Sequence, residues 1–260
     1  MSRPDPAGQT AGLFRLPPAD GPRKRRVRFQ AAILGVAAAL CALPAASAQS
    51  GFPFTDETLR YYLNWQASTN LGEATLTAHR SEAGWNLAAT VNASVPGFAL
   101  TDQLHSAVDA KLCSQEFERD LTHAGKRTDE QTTFDQRAGG GTRTTLFPAG
   151  GGKTDFSIAS CARDALAFAY YTRVEMGQGR VPAPLQVYFG SSYSVSLTYA
   201  GEEKITSGGK PVVTDRVQAA VQGPKSDFHC DIFFARDAAR TPLSIRIPLP
   251  PGTFSLDLVR

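Results

Sequence analysis

The sequence predicts a mainly β fold: a curled antiparallel sheet or open β-barrel packed around one central helix at about residues 160–175. Three observations carry this. Past residue 48, apolar residues recur at every second position in one segment after another, the mark of half-buried strands. Short turns rich in Gly, Asn and Ser separate those segments, as in a meander of hairpins. One stretch, Ser160-Cys-Ala-Arg-Asp-Ala-Leu-Ala-Phe-Ala-Tyr-Tyr-Thr-Arg173, breaks the alternation. There Leu166, Phe168, Ala169, Tyr170, Tyr171 and Val174 leave almost no polar stripe, so the stretch reads as a helix enclosed on most sides.

For that helix Ser160 is the expected N-cap, with Asp164 in the first turns, where the dipole favours an acid. Arg173 complements the other end, and Gly177 and Gly179 stop it. A short apolar helix in a strand-rich chain is most simply a plug against a curved sheet.

The strands follow in order. Leu59, Tyr61, Leu63 and Trp65 alternate through residues 58–69, and Asn70-Leu-Gly72 is expected to turn the chain. Ala74, Leu76 and Ala78 mark the next strand, Ser81 to Gly84 the next turn, and Trp85, Leu87, Ala89 and Val91 the strand after it. Residues 98–110 fit strand or helix, with strand favoured, and 113–120, 127–136 and 142–147 are further expected strands, with a loop over 148–152 leading to the helix. Beyond the helix, Pro182 and Pro184 mark a connection. Strands are expected at 185–188, 193–199, 202–206, 212–221, 228–235, 243–248 and 254–259, with a turn at Gly201 and a tight connection from Asp237 to Pro242.

The first 48 residues read differently. Arg23-Lys-Arg-Arg-Val-Arg28 is followed by an apolar run of 13 residues from Ala31 to Leu43 and then by Ala46-Ser-Ala48. That order is the pattern of a secretory signal peptide with processing after Ala48, leaving open an uncleaved anchor. The run falls short of the roughly 20 apolar residues that span a bilayer, so no integral span is expected once the signal is removed. Leu40 before Cys41 and the displaced hydrophobic residue after Arg25-Arg26 set aside lipoprotein and twin-arginine signals. The general secretory route, to the periplasm or outside the cell, is the expectation.

Charge belongs with that signal. Residues 1–48 hold seven of the 27 basic and two of the 24 acidic residues, leaving 20 basic against 22 acidic in the remainder. Nucleic acid binding, which needs clustered Lys and Arg, is not expected. The remaining 212 residues suit a single β-rich domain over 49–260. Three cysteines lie in it, and an oxidising compartment favours one pair. Cys113 and Cys161 both sit beside turn-like segments and are the expected disulfide, with Cys230 a buried core thiol between Phe228 and Ile232.

Candidate chemistry is sparse. Ala149-Gly-Gly-Gly-Lys-Thr154 lacks the first glycine of a phosphate loop, whose place is taken by Phe147. Asp227, His229 and Asp231 share one face of a strand and form a weak candidate metal site, without a second histidine cluster to complete it. His79, His105 and His123 are scattered, and Gly190-Ser-Ser-Tyr193 is not a nucleophile elbow. No cofactor is expected. Phe168, Tyr170, Tyr171, Tyr188 and Tyr193 are the densest aromatic group near the helix and the candidate lining for an apolar ligand; packed core is the competing reading.

Five segments, Leu59-Arg-Tyr-Tyr-Leu-Asn-Trp65 with Gly72, Asp164-Ala-Leu-Ala-Phe-Ala-Tyr-Tyr-Thr-Arg173, Tyr199-Ala-Gly-Glu-Glu-Lys204, Phe234-Ala-Arg-Asp-Ala-Ala-Arg-Thr-Pro-Leu243 and Gly252-Thr-Phe-Ser-Leu-Asp-Leu258, lie in order along the chain. Together they resemble the bacterial family called domain of unknown function 3108. Where the family has Trp before the Asp237 segment, this chain has Phe233 or Phe234. The resemblance implies an exported, strand-rich envelope protein and brings no catalytic residues. Its recurrent Asp164, Arg173, Asp237 and Arg240 read as caps and structural ion pairs. The function expected is a non-catalytic envelope protein that binds an apolar ligand, such as lipid, or another envelope protein. A periplasmic hydrolase or metal-dependent enzyme and a purely structural role stand as alternatives.

Overall fold

Alternation becomes architecture in two successive meanders. The computed structural model describes residues 55–66, 69–95, 98–224, 227–249 and 252–259. The expected signal peptide and Cys41 lie outside them. Eight strands follow one another: β1 (Glu57–Trp65), β2 (Thr69–Arg80), β3 (Gly84–Val95), β4 (Phe98–Asp109), β5 (Ser114–His123), β6 (Lys126–Asp135), β7 (Gly140–Phe147) and β8 (Lys153–Ser157). After the two-residue β9 (Arg163–Asp164) comes the helix α1 (Ala165–Gly177). The second meander is β10 (Leu185–Phe189), β11 (Ser191–Ser207), β12 (Lys210–Gln222), β13 (Asp227–Ala235), β14 (Pro242–Leu249) and β15 (Gly252–Leu258).

β1 pairs antiparallel with β15, with Tyr61 opposite Leu258, and so joins the two meanders into one 15-stranded sheet ending at β8 and β9. The sheet curls without closing into a barrel. β8 is paired on one side by β7, and β9 joins β10 through two parallel positions, Arg163 opposite Val187 and Asp164 opposite Tyr188. Side chains span the gap instead. Tyr188 stacks on Phe156 of β8 at 5.4 Å between ring centroids and meets Phe134 of β6 edge-on at 5.5 Å. Phe189 packs on Phe117 of β5 at 6.0 Å.

The helix fills the curl. Leu166, Ala167 and Tyr170 pack with Trp85, Leu87, Val108 and Phe117, while Met176 at the far end meets Val217 and Phe234. A smaller cluster of Ile205, Phe233, Ala235 and Leu243 lies under the second meander. No helix among the described residues is long and apolar enough to cross a membrane.

Several local expectations change. The N-cap is Asp164, not Ser160, because Cys161 sits at φ +55° and the β9 pairing holds residues 163 and 164 extended before the helix can start. Arg173 does not decorate the helix end: its side chain is buried, its Nε donates to Ala239 O at 3.0 Å, and NH1 and NH2 both reach the Glu57 carboxylate. Residues 70–72 do not turn. They lie inside β2, where Leu71 is accommodated as a bulge against β1. Gly201 likewise sits in a bulge that lets β11 run on as one 17-residue strand. β8 went unrecognised because Phe156 is its one apolar residue; pairing with β7 makes it a strand.

A cavity at the open seam as the candidate functional site

The place where the sheet fails to close is also where a cavity forms. Its volume is about 580 Å³, within the range of small-molecule sites. Phe156 and Ile158 line it from the β8 side and Tyr188 from β10. Thr132, Arg143 and Thr154 form a polar row across three strands, because Arg143 stands opposite Thr132 of β6 and Thr154 of β8 in register. Cross-strand partners share a face, so one step of each ladder supplies the row. Phe156 can lie flat because residue 141 is glycine, where a Cβ would come within 2.5 Å of its ring. Burial pushes the Tyr188 phenol above its ordinary range, so it stays neutral.

The turn from β10 to β11 forms one lip. Gly190 has φ +69°, and a Cβ there would sit 2.2 Å from Arg119 NH2. Arg119 lies over the Phe189 ring at 5.1 Å and is neutralised by Glu130, whose Oε2 accepts from Nε at 2.9 Å and NH2 at 2.6 Å. Arg143 NH1 donates to Gly190 O, tying β7 across the gap.

The five aromatic candidates do not gather around this space. Tyr188 lines it, and the other four do not. Tyr170 is fully buried in the core, with the Arg173 guanidinium 5.0 Å from its ring centroid, and burial raises its phenol pKa far above the ordinary value. Tyr171 is half-buried beneath Arg163 at 3.7 Å, Phe168 is half-buried, and Tyr193 packs against Gly223.

Cys113 and Cys161 form a disulfide with Cα atoms 4.7 Å apart, holding the connection between β8 and β9 against the start of β5. Cys230 is a free thiol, half-buried where a buried core thiol was expected, and burial, with the Asp231 charge adding, pushes it up to about 11.

Asp164 has no exposed surface. Its Oδ1 accepts from Leu166 N at 2.8 Å and Ala167 N at 3.0 Å, and its Oδ2 from the Ser106 and Ser114 hydroxyls, both at 2.5 Å. Burial raises its pKa, against the pull of those four hydrogen bonds. It does not pair with Arg173. Asp237 caps its own loop, accepting from Thr241 N at 2.9 Å and Thr241 Oγ1 at 2.7 Å. Arg240, at φ +47°, donates instead to Asp215 Oδ2 at 2.6 Å.

Asp215, which the sequence does not single out, also accepts from Arg236 and from Tyr199 OH at 3.1 Å. Burial works to raise its pKa, but the Arg236 and Tyr199 hydrogen bonds and the Arg236 and Arg240 charges outweigh it, holding the carboxyl below the usual range. A lone Asp between Thr214 and Arg216 carries no local signal; topology alone assembles its partners.

Of the metal candidates, Asp231 is engaged by Arg216 Nε and NH2 at 3.0 and 3.1 Å, Asp227 accepts from Gly223 N at 3.2 Å, and His229 is exposed. Among the described residues no group of three or more His, Cys, Asp or Glu could hold a metal ion. His123 Nε2 lies 2.7 Å from Asp102 Oδ1 and His79 Nδ1 lies 3.5 Å from Asp56, with no serine in either pair. The segment 149–154 is a loop entering β8, with no helix to receive a phosphate.

The profile of the family described as proteins of unknown function (DUF3108) matches residues 59–259. The chain belongs to that family. No curated protein matches it. Among solved structures it is similar to the β-barrel-like protein of domain of unknown function 1849 from Brucella abortus, at a TM-score of 0.59 and 9% identity over 81% of this chain and 98% of that one. At that identity the likeness concerns the fold. This member of the family has the disulfide, the buried helix cap and the seam cavity on one continuous stretch, residues 113 to 192.

Proposed function

We propose that the protein is an exported, non-catalytic envelope protein that holds the hydrocarbon part of a ligand in the seam cavity. The observation that carries this is the aromatic wall of Phe156 and Tyr188 facing an unfilled volume of about 580 Å³ at the one place where the sheet is not closed. Each methylene moved there from water contributes about 0.8 kcal/mol. Export is supported by the basic cluster, apolar run and Ala46-Ser-Ala48 ahead of the domain, and by a disulfide, which persists in oxidising compartments. The exposed edge of β8 is a poorer place for an envelope protein partner, since Lys153 and Asp155 disfavour strand addition.

The test is displacement of a neutral naphthylamine probe by a long-chain alcohol, with wild type and Ile158→Trp, which fills the cavity. Saturable wild-type binding, weakened at least about tenfold by the substitution, is expected. Equal binding by both proteins refutes the site, and periplasmic protein devoid of lipid by native mass spectrometry weighs against the role.

A further inference from the structure

The cavity is apolar on one wall and positively charged on the other, and the charge is unbalanced. Arg119 and Arg143 flank Gly190, and between them they have one carboxylate. Glu130 takes Arg119 through two nitrogens. Arg143 is half-buried and lines the cavity, yet its polar partner is the neutral carbonyl of Gly190, reached by NH1. Among the described residues no carboxylate lies within ion-pair distance of it. A guanidinium stays charged at any relevant pH and offers five donors in a planar fork. Drawing that charge into a partly desolvated wall is unfavourable unless an anion meets it.

Its neighbours suit such an anion. Thr132 and Thr154 stand beside Arg143 in register, and Ser191 lies across the opening. Ser192 is engaged, donating to Gln186 Oε1 at 2.6 Å. A head group placed at Arg143 leaves its chain to run along Tyr188, Phe156 and Ile158.

We propose that the ligand is an anionic amphiphile whose carboxylate or phosphate head is read by Arg143. This rests on the seam cavity being the ligand site. The experiment compares three ligands of equal chain length, a fatty alcohol, a fatty acid and a monoalkyl phosphate, by displacement of the neutral probe below their micelle-forming concentrations.

For the wild type, at least one anion is expected to bind about tenfold or more tightly than the alcohol, as a charge-assisted hydrogen bond allows. The acid and phosphate arms show which head is preferred. Arg143→Gln is expected to erase that preference, so that acid, phosphate and alcohol bind this variant within about twofold of one another, whereas Arg143→Lys keeps part of it. Equal wild-type binding of acid, phosphate and alcohol overturns the proposal while leaving the cavity reading standing, and needs no variant that folds. A preference that survives in Arg143→Gln assigns the head to another residue and overturns it too. Failure of all three ligands to bind the wild type overturns both readings.

Discussion

Replacing Asp164 by alanine is expected to cost about 3–5 kcal/mol of folding stability, a large effect for one side chain. The carboxylate caps α1 through Leu166 N and Ala167 N, and loss of such a cap costs about 1 kcal/mol. It also accepts from Ser106 and Ser114, whose residues are 3% and 0% exposed, and each buried hydroxyl left without its acceptor costs about 1–3 kcal/mol. Removing a desolvated charge gives part of this back. Asp164→Asn keeps the capping oxygen, and both serine hydroxyls can rotate to accept from its amide, so its cost is expected to be about 1 kcal/mol.

Burial raises the Asp164 pKa in the folded state, so the folded protein holds this proton more tightly than the unfolded chain. Stability from this group is therefore fully present below the unfolded pKa of about 3.9 and is lost as pH rises through the folded value. Relative to Asp164→Asn, the wild type should gain stability as pH falls from neutral toward about 4. Urea titrations of all three proteins across that range read both effects through the midpoint and slope. An alanine variant within about 1 kcal/mol of wild type at unchanged slope would refute the view that this carboxylate anchors the helix.

Other perturbations have equally definite outcomes. Reducing the disulfide, or replacing Cys113 and Cys161 together by serine, releases a loop with a sequence separation of 48 and should cost about 2–4 kcal/mol in chemical unfolding; a smaller loss means the connection is held by packing alone. Arg173→Ala leaves Glu57 without its partner in a largely buried position, and about 3 kcal/mol should be lost; a loss below about 1 kcal/mol means the pair is solvated. Gly190→Ala meets both a left-handed φ and the Arg119 guanidinium at 2.2 Å, so a lower melting temperature and disturbed probe binding are expected together; unchanged values for both would show that the lip is free to move.

The strands were legible wherever alternation was strong, as at Leu59 to Trp65 and Trp85 to Val91, because the side-chain period of a strand is a local property. The helix was legible because Leu166 to Tyr171 break that period. Its N-cap was misplaced by four positions, from Ser160 to Asp164, since the pairing of Arg163 and Asp164 with β10 is made by residues more than twenty positions away. Tyr188 stood out as an aromatic near the helix, but Phe156 and Arg143 did not, each being an ordinary residue in a polar strand.

By itself the sequence determined what each stretch does with water: which face of a strand turns inward, which segment becomes an apolar rod, which cysteines lie beside turns. These follow from the chemistry of neighbours a few residues apart. Tertiary structure alone decided that β1 meets β15, that β8 and β9 stay apart as the sheet edges, and that a cavity remains between β8 and the β10–β11 turn. It also brought Ser106 to Asp164 across 58 residues and Glu57 to Arg173 across 116. Such contacts depend on how twist and bulges accumulate over fifteen strands, a sum that no local pattern contains.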